Sequence, residues 1–420
     1  MDQNWCNLDV LEKKRLPPRS VFYPFLNQLP DEMGVSDRTQ RLNGVWRFKW
    51  LPSALQSDME EVLLAATDEN GYRDIQVPRS WQHAGYGQFL YTDEDYPFPL
   101  DPPFVPARNE TGVYKRKFDV RDGFDHYTLR LEGVESCAEV YVNGRFAGYT
   151  QGSRLPAEFE ISPFVRMGEN DLCIVVHMFC DGTYLEDQDM WWLGGLMRDV
   201  YLIRRKASGI QNLLLNADYC AQTGGGTLTL KAEVFGDGKL SYRLLDADGR
   251  CVGEQANAPE SLTLFLPTVI PWNAEEPYLY TLLLSVTDES GAAVETVRQR
   301  VGFRRVEIKA GTLLLNGARI MLRGVNRHEY SAVNGRAVSY ADTKADLLLM
   351  KKYHINAVRT SHYPNAPFFY DLCDKLGLYV MDECDLETHG FEIEGIPSLL
   401  VEDERWKNAY LDRARRTVMR

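Results

Sequence analysis

Histidines and carboxylates follow three successive predicted strands in the last quarter of the chain. His328 comes shortly after the first strand, His362 after the second, and an acidic run that ends in His389 after the third. Functional residues of βα units collect at the C-terminal ends of the strands, so we expect these side chains to converge on one rim. Three imidazoles with carboxylates at one rim indicate a functional site. The predicted strands are Met321–Val325, Asn356–Thr360 and Leu378–Met381.

The acidic run contains a candidate metal-binding pair. Glu387 and His389 are two residues apart, so both side chains project to one side of an extended segment. A carboxylate and an imidazole in this arrangement can bind a divalent cation with waters at the remaining positions, and oxygen-rich ligation favours Mg²⁺. The same spacing allows a Glu–His hydrogen bond without a metal. The spacing alone leaves both interpretations open.

Alternating strands and helices must position this rim. Such alternation indicates a parallel sheet, and the nearly apolar strands predict that both faces are covered. A closed (β/α)₈ TIM barrel needs about 250 residues, so residues 310–420 are expected to form only its first three βα units. Because the open sheet has an unpaired edge, we expect this region to be the least stable part of the molecule. We interpret the chain as truncated; a subunit completed by another chain is the alternative. The helix predictions are Asp342–His354, with Ala345, Leu348 and Leu349 on one face; Pro367–Leu376, opened by proline and closed by Gly377; and Glu402–Arg420, with Trp406, Tyr410, Leu411, Ala414 and Val418 in one stripe.

Two β-rich regions precede the barrel units. Between Gly44 and Arg205, short alternating segments such as Glu139–Val142, followed by the turn pair Asn143-Gly144, predict a β-sandwich of jelly-roll type. From Ala207 to Glu307, around 100 residues of strands separated by turns predict an immunoglobulin-like β-sandwich. The predicted organisation is therefore multidomain and mostly β: an N-terminal extension (1–40), a jelly-roll domain (41–206), an immunoglobulin-like domain (207–309) and the start of a TIM barrel (310–420).

Composition excludes several classes of partner. The net charge of −13 over 420 residues argues against nucleic acid, because duplex binding requires clustered basic residues. The densest basic run, Arg413–Arg420, is predicted to be an exposed helix face. No apolar run is long enough to span a membrane, and the polar N-terminus does not have the pattern of a signal peptide. Eight scattered cysteines favour reduced thiols and a cytoplasmic protein.

Several segments resemble glycoside hydrolase family 2 over essentially the whole chain. The likeness to the β-galactosidase branch, rather than to β-glucuronidases, rests on Asp181–Trp191. The other segments that carry the resemblance are Leu42–Phe48, Val77–Gln82, Pro102–Pro106, Gly324–Glu329, Asn356–Pro364, Leu372–Asp374, Gly377–Val380, Asp382–Glu383 and Glu387–Gly390.

The resemblance implies a β-galactosidase part whose jelly-roll domain binds sugar. The complete enzyme would hydrolyse terminal β-galactosides such as lactose with retention, through an acid/base Glu and a nucleophilic Glu. In the family these glutamates follow the fourth and seventh barrel strands, so no residue of this chain is assigned a catalytic role, and the chain alone should be inactive. Homo-oligomers are expected for the complete enzyme. The alternatives are another family 2 β-glycosidase, such as a β-glucuronidase, or a non-catalytic carbohydrate-binding protein.

The same resemblance assigns residues to the sugar and to two cations. His328 and His362 would contact the galactosyl unit, and Arg359 would point into the barrel. Asp189 would contact sugar hydroxyls and bind Na⁺. Asp93 stands where the family often has Asn, and an aspartate cannot donate as an amide does. The Mg²⁺ ligands would be Glu387, His389 and the acid/base Glu.

Overall fold

The computed structural model describes residues 3–64, 71–93 and 95–419. Its first unit is a β-sandwich. A seven-stranded sheet of order β1-β9-β8-β11-β5-β3-β4 packs on a four-stranded sheet of order β10-β6-β14-β2, and β7 pairs with β13. The strands are β1 (Glu12–Lys13), β2 (Thr39–Arg41), β3 (Gly44–Leu51), β4 (Arg73–Val77), β5 (Thr111–Val120), β6 (His126–Leu131), β7 (Val134–Glu135), β8 (Cys137–Val142), β9 (Arg145–Gln151), β10 (Ala157–Glu160), β11 (Gly168–His177), β12 (Glu186–Asp187), β13 (Gly195–Leu196) and β14 (Val200–Arg205), with one short helix, α1 (Met59–Leu64).

Local sequence explains the hairpins of this sandwich. Asn143 and Gly144 have φ angles of 51° and 75°, so the predicted left-handed pair connects β8 to β9. Trp46 and Phe48 alternate with more exposed residues along β3 and are fully buried between the sheets. Each side chain of this size contributes roughly 1.5–3 kcal/mol when buried. The sequence did not predict α1, which interrupts the strands.

The second sandwich is the smaller one. A three-stranded sheet of order β15-β16-β19 and a four-stranded sheet of order β18-β17-β20-β21 enclose a separate apolar core. Asp248 and Gly249 lie in the turn that connects β17 to β18, with Gly249 at a φ of 81°. The strands are β15 (Gly209–Cys220), β16 (Gly225–Phe235), β17 (Lys239–Leu245), β18 (Cys251–Gln255), β19 (Ser261–Leu266), β20 (Tyr280–Thr287) and β21 (Ala293–Val301).

The N-terminal segment packs against both sandwiches. Strand β1 extends the seven-stranded sheet at β9. Arg19 is buried and forms an ion pair with Glu158 of the first sandwich, whereas Phe25 forms a bridge with Thr296 of the second. Residues 3–40 therefore form a strap across the two domains.

Residues beyond 305 form a hairpin unit, a parallel sheet and helices. Strands β22 (Val306–Lys309), β23 (Thr312–Leu315) and β24 (Ala318–Arg319) form an antiparallel meander. The parallel sheet has the order β25-β26-β27 in the described residues. The remaining elements are β25 (Gly324–Asn326), α2 (Tyr340–Lys352), β26 (Ala357–Arg359), α3 (Pro367–Leu376), β27 (Tyr379–Met381), β28 (Glu387–Thr388), α4 (His389–Ile393), α5 (Leu399–Glu402) and α6 (Lys407–Met419).

Some local predictions in this region are confirmed and others are wrong. Helix α3 begins at Pro367 and ends before Gly377, which takes the left-handed C-cap conformation as predicted. In α2 the predicted face is wrong, because Leu348 and Leu349 are exposed and the helix buries Thr343 and Leu347. The prediction that both faces of the parallel sheet are covered is also wrong for the flanking strands β25 and β27. On β27, for example, Met381 is 55% exposed.

The C-terminal helices leave the parallel sheet and pack on the first sandwich. Phe391, Leu400, Trp406 and Ala409 belong to the same buried core as its strands. The predicted stripe on α6 is therefore wrong in part, since Leu411 and Val418 are exposed. The prediction of an exposed basic face in Arg413–Arg420 is also wrong, because α6 buries the arginines at 413 and 416 against that sandwich.

Two further features bear on earlier expectations. Within residues 3–64, 71–93 and 95–419, no helix is long and apolar enough to cross a membrane. All eight cysteines are free thiols.

Candidate functional site

The C-terminal ends of the parallel strands bring two predicted histidines together. Because Asn326, Arg359 and Met381 are in register across β25, β26 and β27, the residues that follow them emerge at one edge. The rings of His328 and His362 lie 5.6 Å apart, nearly perpendicular to each other. The predicted convergence of these two residues therefore occurs in the structure.

Glu383 connects the second and third strands at this rim. Its carboxylate lies 2.7 Å from Nδ1 of His362 and forms an ion pair with the guanidinium of Arg359. Its backbone N–H donates to the hydroxyl of Thr360. The carboxylate is about one-fifth exposed and engaged by a cation on one side and an imidazole on the other. Glu383 is thus a positioning group for His362 and Arg359.

His328 is a neutral hydrogen-bonding group in this environment. Burial lowers its pKa below the ordinary value, and the neighbouring charges of His362, Arg336 and Arg154 lower it further, against the opposing charge of Asp189. Its Nδ1 lies 3.4 Å from the hydroxyl of buried Tyr363. A neutral imidazole can donate through one nitrogen and accept through the other, which suits recognition of a hydroxyl group.

Asp189 and Asp93 come from two loops of the first sandwich. The hydroxyl of Tyr91 donates to Oδ1 of Asp189 at 2.5 Å and lies 3.5 Å from Oδ1 of Asp93. This hydrogen bond is the main reason that the pKa of Tyr91 rises to about 12. Asp93 has a φ of 59°, a left-handed conformation that aspartate tolerates better than most residues. Tyr91 was not singled out from the sequence, although it lies two residues before Asp93.

Glu387 and His389 lie beside the first sandwich, where the short strand β28 meets β12. Strand β28 pairs in parallel with β12, with Glu186 opposite Glu387 and Asp187 opposite Thr388. Oε1 of Glu387 and Nδ1 of His389 are 3.2 Å apart, so these two groups contact each other as one of the sequence interpretations proposed. In the part of the chain that the structure describes, no three His, Cys, Asp or Glu side chains form a group that could hold a metal.

Buried charges join the two halves of the site. Arg154, from the first sandwich, contacts Glu135, Glu186 and Asp385 at 3.0–3.3 Å. Arg413 of α6 contacts Glu186 at 2.5 Å. Despite burial, these two arginines hold the pKa of Glu186 below its ordinary value. The network therefore ties the segment before Glu387 to the segment before Asp189.

A second set of buried ion pairs supports the first rim loop. Arg198 of the sandwich forms an ion pair with Glu329, the residue after His328, at 2.5 Å. Arg336 contacts Glu135 at 2.9 Å and donates to the backbone carbonyl of Trp191. Sequence reasoning missed both pairs, since charged residues separated by more than 130 positions give no local signal.

A sizeable cavity in the described residues lies away from this rim. It has a volume of about 650 Å³ and lies between the N-terminal strap, the second sandwich and α3. Its lining includes Glu32, Arg298 and Asp371 but neither rim histidine nor Asp189. The convergence of predicted residues, rather than cavity size, identifies the candidate site.

Comparison with known families agrees with this architecture. Residues 39–206 match the sugar-binding domain of glycosyl hydrolases family 2, residues 210–304 match a further domain of glycosyl hydrolases family 2, and residues 306–420 match the TIM-barrel domain of the same family. The chain belongs to glycoside hydrolase family 2. The jelly-roll, immunoglobulin-like and partial TIM-barrel fold predicted from the sequence is confirmed.

Curated relatives share more sequence with this chain than the solved structures that superpose on it. The chain is 37% identical to a β-galactosidase of Vibrio cholerae over 98% of its length, and 38% identical to one of Psychromonas ingrahamii over its whole length. It spans 42% of the length of each of these relatives. A β-glucuronidase from Ruminococcus gnavus in complex with D-glucaro 1,5-lactone superposes with a TM-score of 0.73 at 22% identity, covering 94% of this chain and 67% of that one. At this identity the superposition supports the fold alone.

Proposed function

We propose that this chain is the sugar-binding portion of a retaining β-galactosidase that acts on terminal β-D-galactosides such as lactose. The observation that carries the proposal is the meeting of His328, His362 and the Asp189 loop at one rim, in a chain related to β-galactosidases. The acid/base and nucleophilic glutamates would come from outside these 420 residues, since the chain spans less than half of its curated relatives.

The roles proposed for the rim residues follow from their chemistry. His328 and His362 present imidazole nitrogens that can donate to sugar hydroxyls and to the reacting centre as positive charge develops there. Asp189 can accept hydrogen bonds from sugar hydroxyls, and a hydrogen bond from the Tyr91 hydroxyl holds its carboxylate in place. Asp93 provides a second carboxylate acceptor, whose Oδ1 lies 3.5 Å from the same Tyr91 hydroxyl. Arg359 is a positioning residue in this proposal, because Glu383 engages its guanidinium.

Two cations belong to the proposal. Glu387 and His389 fit Mg²⁺ in part, because they offer one carboxylate and one imidazole at one place. Bound there, Mg²⁺ would supply positive charge at the rim, and a third protein ligand would have to come from elsewhere. Asp189 provides one carboxylate for Na⁺.

Charge at the rim favours a neutral galactoside over a glucuronide, the second candidate substrate. A glucuronide carries a carboxylate that needs an available cation. The rim cation Arg359 is already engaged by Glu383, while the carboxylate of Asp93 adds negative charge near Asp189. A uronate would therefore be repelled in this part of the site.

The expected setting of the complete protein is also part of the proposal. We infer a cytoplasmic enzyme, because the eight cysteines are scattered along the sequence and form no disulfide, a pattern typical of proteins from a reducing compartment. A homo-oligomer is proposed from the family resemblance alone. Nucleic acid and membranes are not proposed as partners, in keeping with the net charge of −13 and the scattered basic residues.

Ligand binding by the 420-residue chain tests the proposal. Titration followed by NMR should show binding of methyl β-galactoside and none of methyl β-glucuronide. Asp189→Ala should weaken galactoside binding roughly 10- to 100-fold, the effect of losing a hydrogen bond to a charged group. The matched control is His354→Asn, because His354 is an exposed residue outside the rim. Preference for the glucuronide, or an equal loss in the control variant, would refute the assignment.

A further inference from the structure

Strand β19 leaves one backbone edge of the second sandwich unpaired. In the sheet order β15-β16-β19 it is the last strand, and no other strand of the described residues pairs with its second side. Its sequence, Ser261–Leu266, contains no charged residue. Phe265, on the outer face of the strand, is 74% exposed. We call the unpaired side of this strand the β19 edge.

The β19 edge lacks the features that usually prevent further pairing. Edge strands of soluble proteins are commonly protected by charge, by proline or by a β-bulge. Strand β18, at one end of the other sheet of this sandwich, has such protection, because it carries Glu254 and its pairing with β17 contains a register shift. Strand β19 has no charge, and its register with β16 is continuous from end to end. The β19 edge is therefore a template on which an extended segment can add another strand.

Alternate residues of β19 direct their backbone groups to this edge. The N–H of Ala232 donates to the carbonyl of Glu260 at 2.7 Å, directly before the strand, and the same register continues along β16. In an antiparallel ladder, hydrogen-bonded pairs alternate with pairs that are not hydrogen-bonded. Glu260 and every second residue after it therefore bond to β16. The remaining residues, Ser261, Thr263 and Phe265, present their N–H and C=O groups to the β19 edge.

The segment fits a second copy of itself best when Thr263 lies on the two-fold axis. Pro259 and Pro267 flank the segment at equal distances from Thr263, and proline has no N–H to contribute. Antiparallel pairing about Thr263 places Ser261 opposite Phe265 of the second copy, and Thr263 opposite its own counterpart. These pairs, with the symmetric Phe265–Ser261 pair, each exchange two hydrogen bonds. A shift of the axis by one residue in either direction places an edge-facing residue opposite a proline, so fewer bonds form.

Charge favours contact at this edge over contact between other surfaces of two copies. Each copy has a net charge of −13, so their charged faces repel each other. The carboxylate nearest to β19 in the sequence, Glu260, lies opposite Leu266 of the second copy when the axis passes through Thr263. The two copies of Glu260 are then at opposite ends of the ladder. At its centre two threonines are directly opposite each other, a pair that stabilises adjacent strands.

We propose that the β19 edge is a self-association surface, on which two copies of this chain pair antiparallel about Thr263. The two three-stranded sheets would then form one six-stranded sheet across the dimer. The inference goes beyond the proposed function, because the edge lies on the second sandwich and uses no residue of the rim. It also gives the expected homo-oligomer a specific contact, whose failure would leave the sugar site unaffected.

Sedimentation velocity of the 420-residue chain tests the proposal. The unaltered chain should show a concentration-dependent equilibrium between monomer and dimer. Thr263→Lys places two ammonium groups opposite each other at the axis, so it should raise the dissociation constant of the dimer by about tenfold or more. The matched control is Thr229→Lys, because Thr229 is exposed on β16 directly opposite Thr263 but lies away from the edge. This control should leave the dissociation constant unchanged.

A mixture of two charge variants identifies the axis. Thr263→Glu alone should weaken the dimer as Thr263→Lys does. Mixed in equal amounts, the two variants should associate again, because pairing about Thr263 sets a lysine against a glutamate. Thermal unfolding of each variant should match that of the unaltered chain, since the altered side chain is exposed.

Three results would overturn the proposal. They are a chain that stays monomeric at the highest concentration reached, a dimer that persists in Thr263→Lys, and a mixture of the two variants that does not associate. Open-ended aggregates in place of a dimer would also overturn it, because the edge would then add strands without a two-fold axis. Binding of methyl β-galactoside, measured on the same samples, should be equal in the unaltered chain and in Thr263→Lys. Loss of the dimer and loss of galactoside binding therefore distinguish failure of this inference from failure of the proposed function.

Discussion

Replacement of Arg154 by methionine should make the C-terminal helices open more often from the first sandwich. Arg154 is 2% exposed and contacts three carboxylates: Glu135, Glu186 and Asp385. With Arg336 and Arg413 it forms a buried group of three guanidinium and three carboxylate groups. Methionine fills much of the volume but leaves one negative charge uncompensated.

The cost can be estimated from the remaining partners. Removal of one member of a buried ion pair typically costs about 3–5 kcal/mol. Here Glu135 keeps Arg336, and Glu186 keeps Arg413. Asp385 keeps Gln188 at 3.3 Å and the more distant Arg413 at 4.0 Å. The lower end of the range, about 3 kcal/mol, is therefore expected. This corresponds to roughly a hundredfold change in the equilibrium for local opening.

Amide hydrogen exchange measured by mass spectrometry can detect this opening. Peptides from α6 (Lys407–Met419) should lose roughly a hundredfold in protection in Arg154→Met. Peptides from β20 (Tyr280–Thr287) serve as an internal reference, because the second sandwich has its own core. The matched control is Arg250→Met, which removes a 78% exposed guanidinium 3.8 Å from Asp248 and should change protection very little.

A double variant and a threshold make the reasoning refutable. Asp385→Leu in the Arg154→Met background removes the carboxylate that loses most, so it should recover part of the protection in α6. A loss of less than about threefold in α6, equivalent to roughly 0.7 kcal/mol, would show that the buried charges do not hold the helices. An equal loss in β20 would indicate global destabilisation instead.

Four further predictions concern pH, the Asp189 contact, activity and metal. Burial lowers the pKa of His177 to about 3, so the folded chain keeps it neutral while the unfolded chain takes up a proton near pH 6.5. The contribution of His177 to the free energy of unfolding is complete above pH 6.5 and is lost as the pH falls toward 3, by about 2.7 kcal/mol at pH 4.5. Urea unfolding at pH 7 and 4.5 should show that His177→Gln does not have this loss. The same loss in the variant would contradict the reasoning. Tyr91→Phe removes the hydrogen bond to Asp189 and should weaken galactoside binding roughly 2- to 10-fold in NMR titrations; an unchanged affinity would exclude Tyr91 as a positioning residue. The purified 420-residue chain should not hydrolyse a nitrophenyl β-galactoside, because retaining chemistry needs both glutamates, and turnover free of host enzyme would refute this. Calorimetric titration with Mg²⁺ should show no tight stoichiometric binding, because Glu387 and His389 offer only two ligands; tight binding that persists in Glu387→Gln would place the ion elsewhere.

Residues with a local conformational requirement were predictable from the sequence. Asn143-Gly144 makes the predicted hairpin turn, and Gly377 ends α3 in the left-handed conformation. His328 and His362 converge because parallel strands end at one edge, a property of the βα unit that any sequence with this alternation shares. In each case the decisive interaction lies within a few residues or follows from the repeating unit itself.

The burial of charged residues was not predictable in this way. A helix that carries Arg413 and Arg416 resembles an exposed basic face, because the sequence near them contains only part of their surroundings. Their partners are Glu186 and the backbone carbonyls of Gln151 and Leu155, more than 220 positions away. The prediction that Leu348 is buried was wrong in the opposite sense. An apolar pattern indicates a helix face that can be buried, but none of the described residues covers this side chain.

The candidate site depends on alignment of two domains rather than on the barrel units alone. Asp189 lies three residues after Glu186, and Glu387 lies two residues after Asp385. Arg154 contacts both Glu186 and Asp385, and β12 pairs directly with β28. A shift of either segment would therefore move the sugar-contact loop relative to the candidate metal pair, even if every residue that touches ligand were unchanged. For this reason Arg154→Met should weaken galactoside binding as well as lower the protection of α6 from hydrogen exchange, although Arg154 itself lies beneath the rim. If the variant loses this protection and keeps full affinity for the galactoside, other contacts align the two segments.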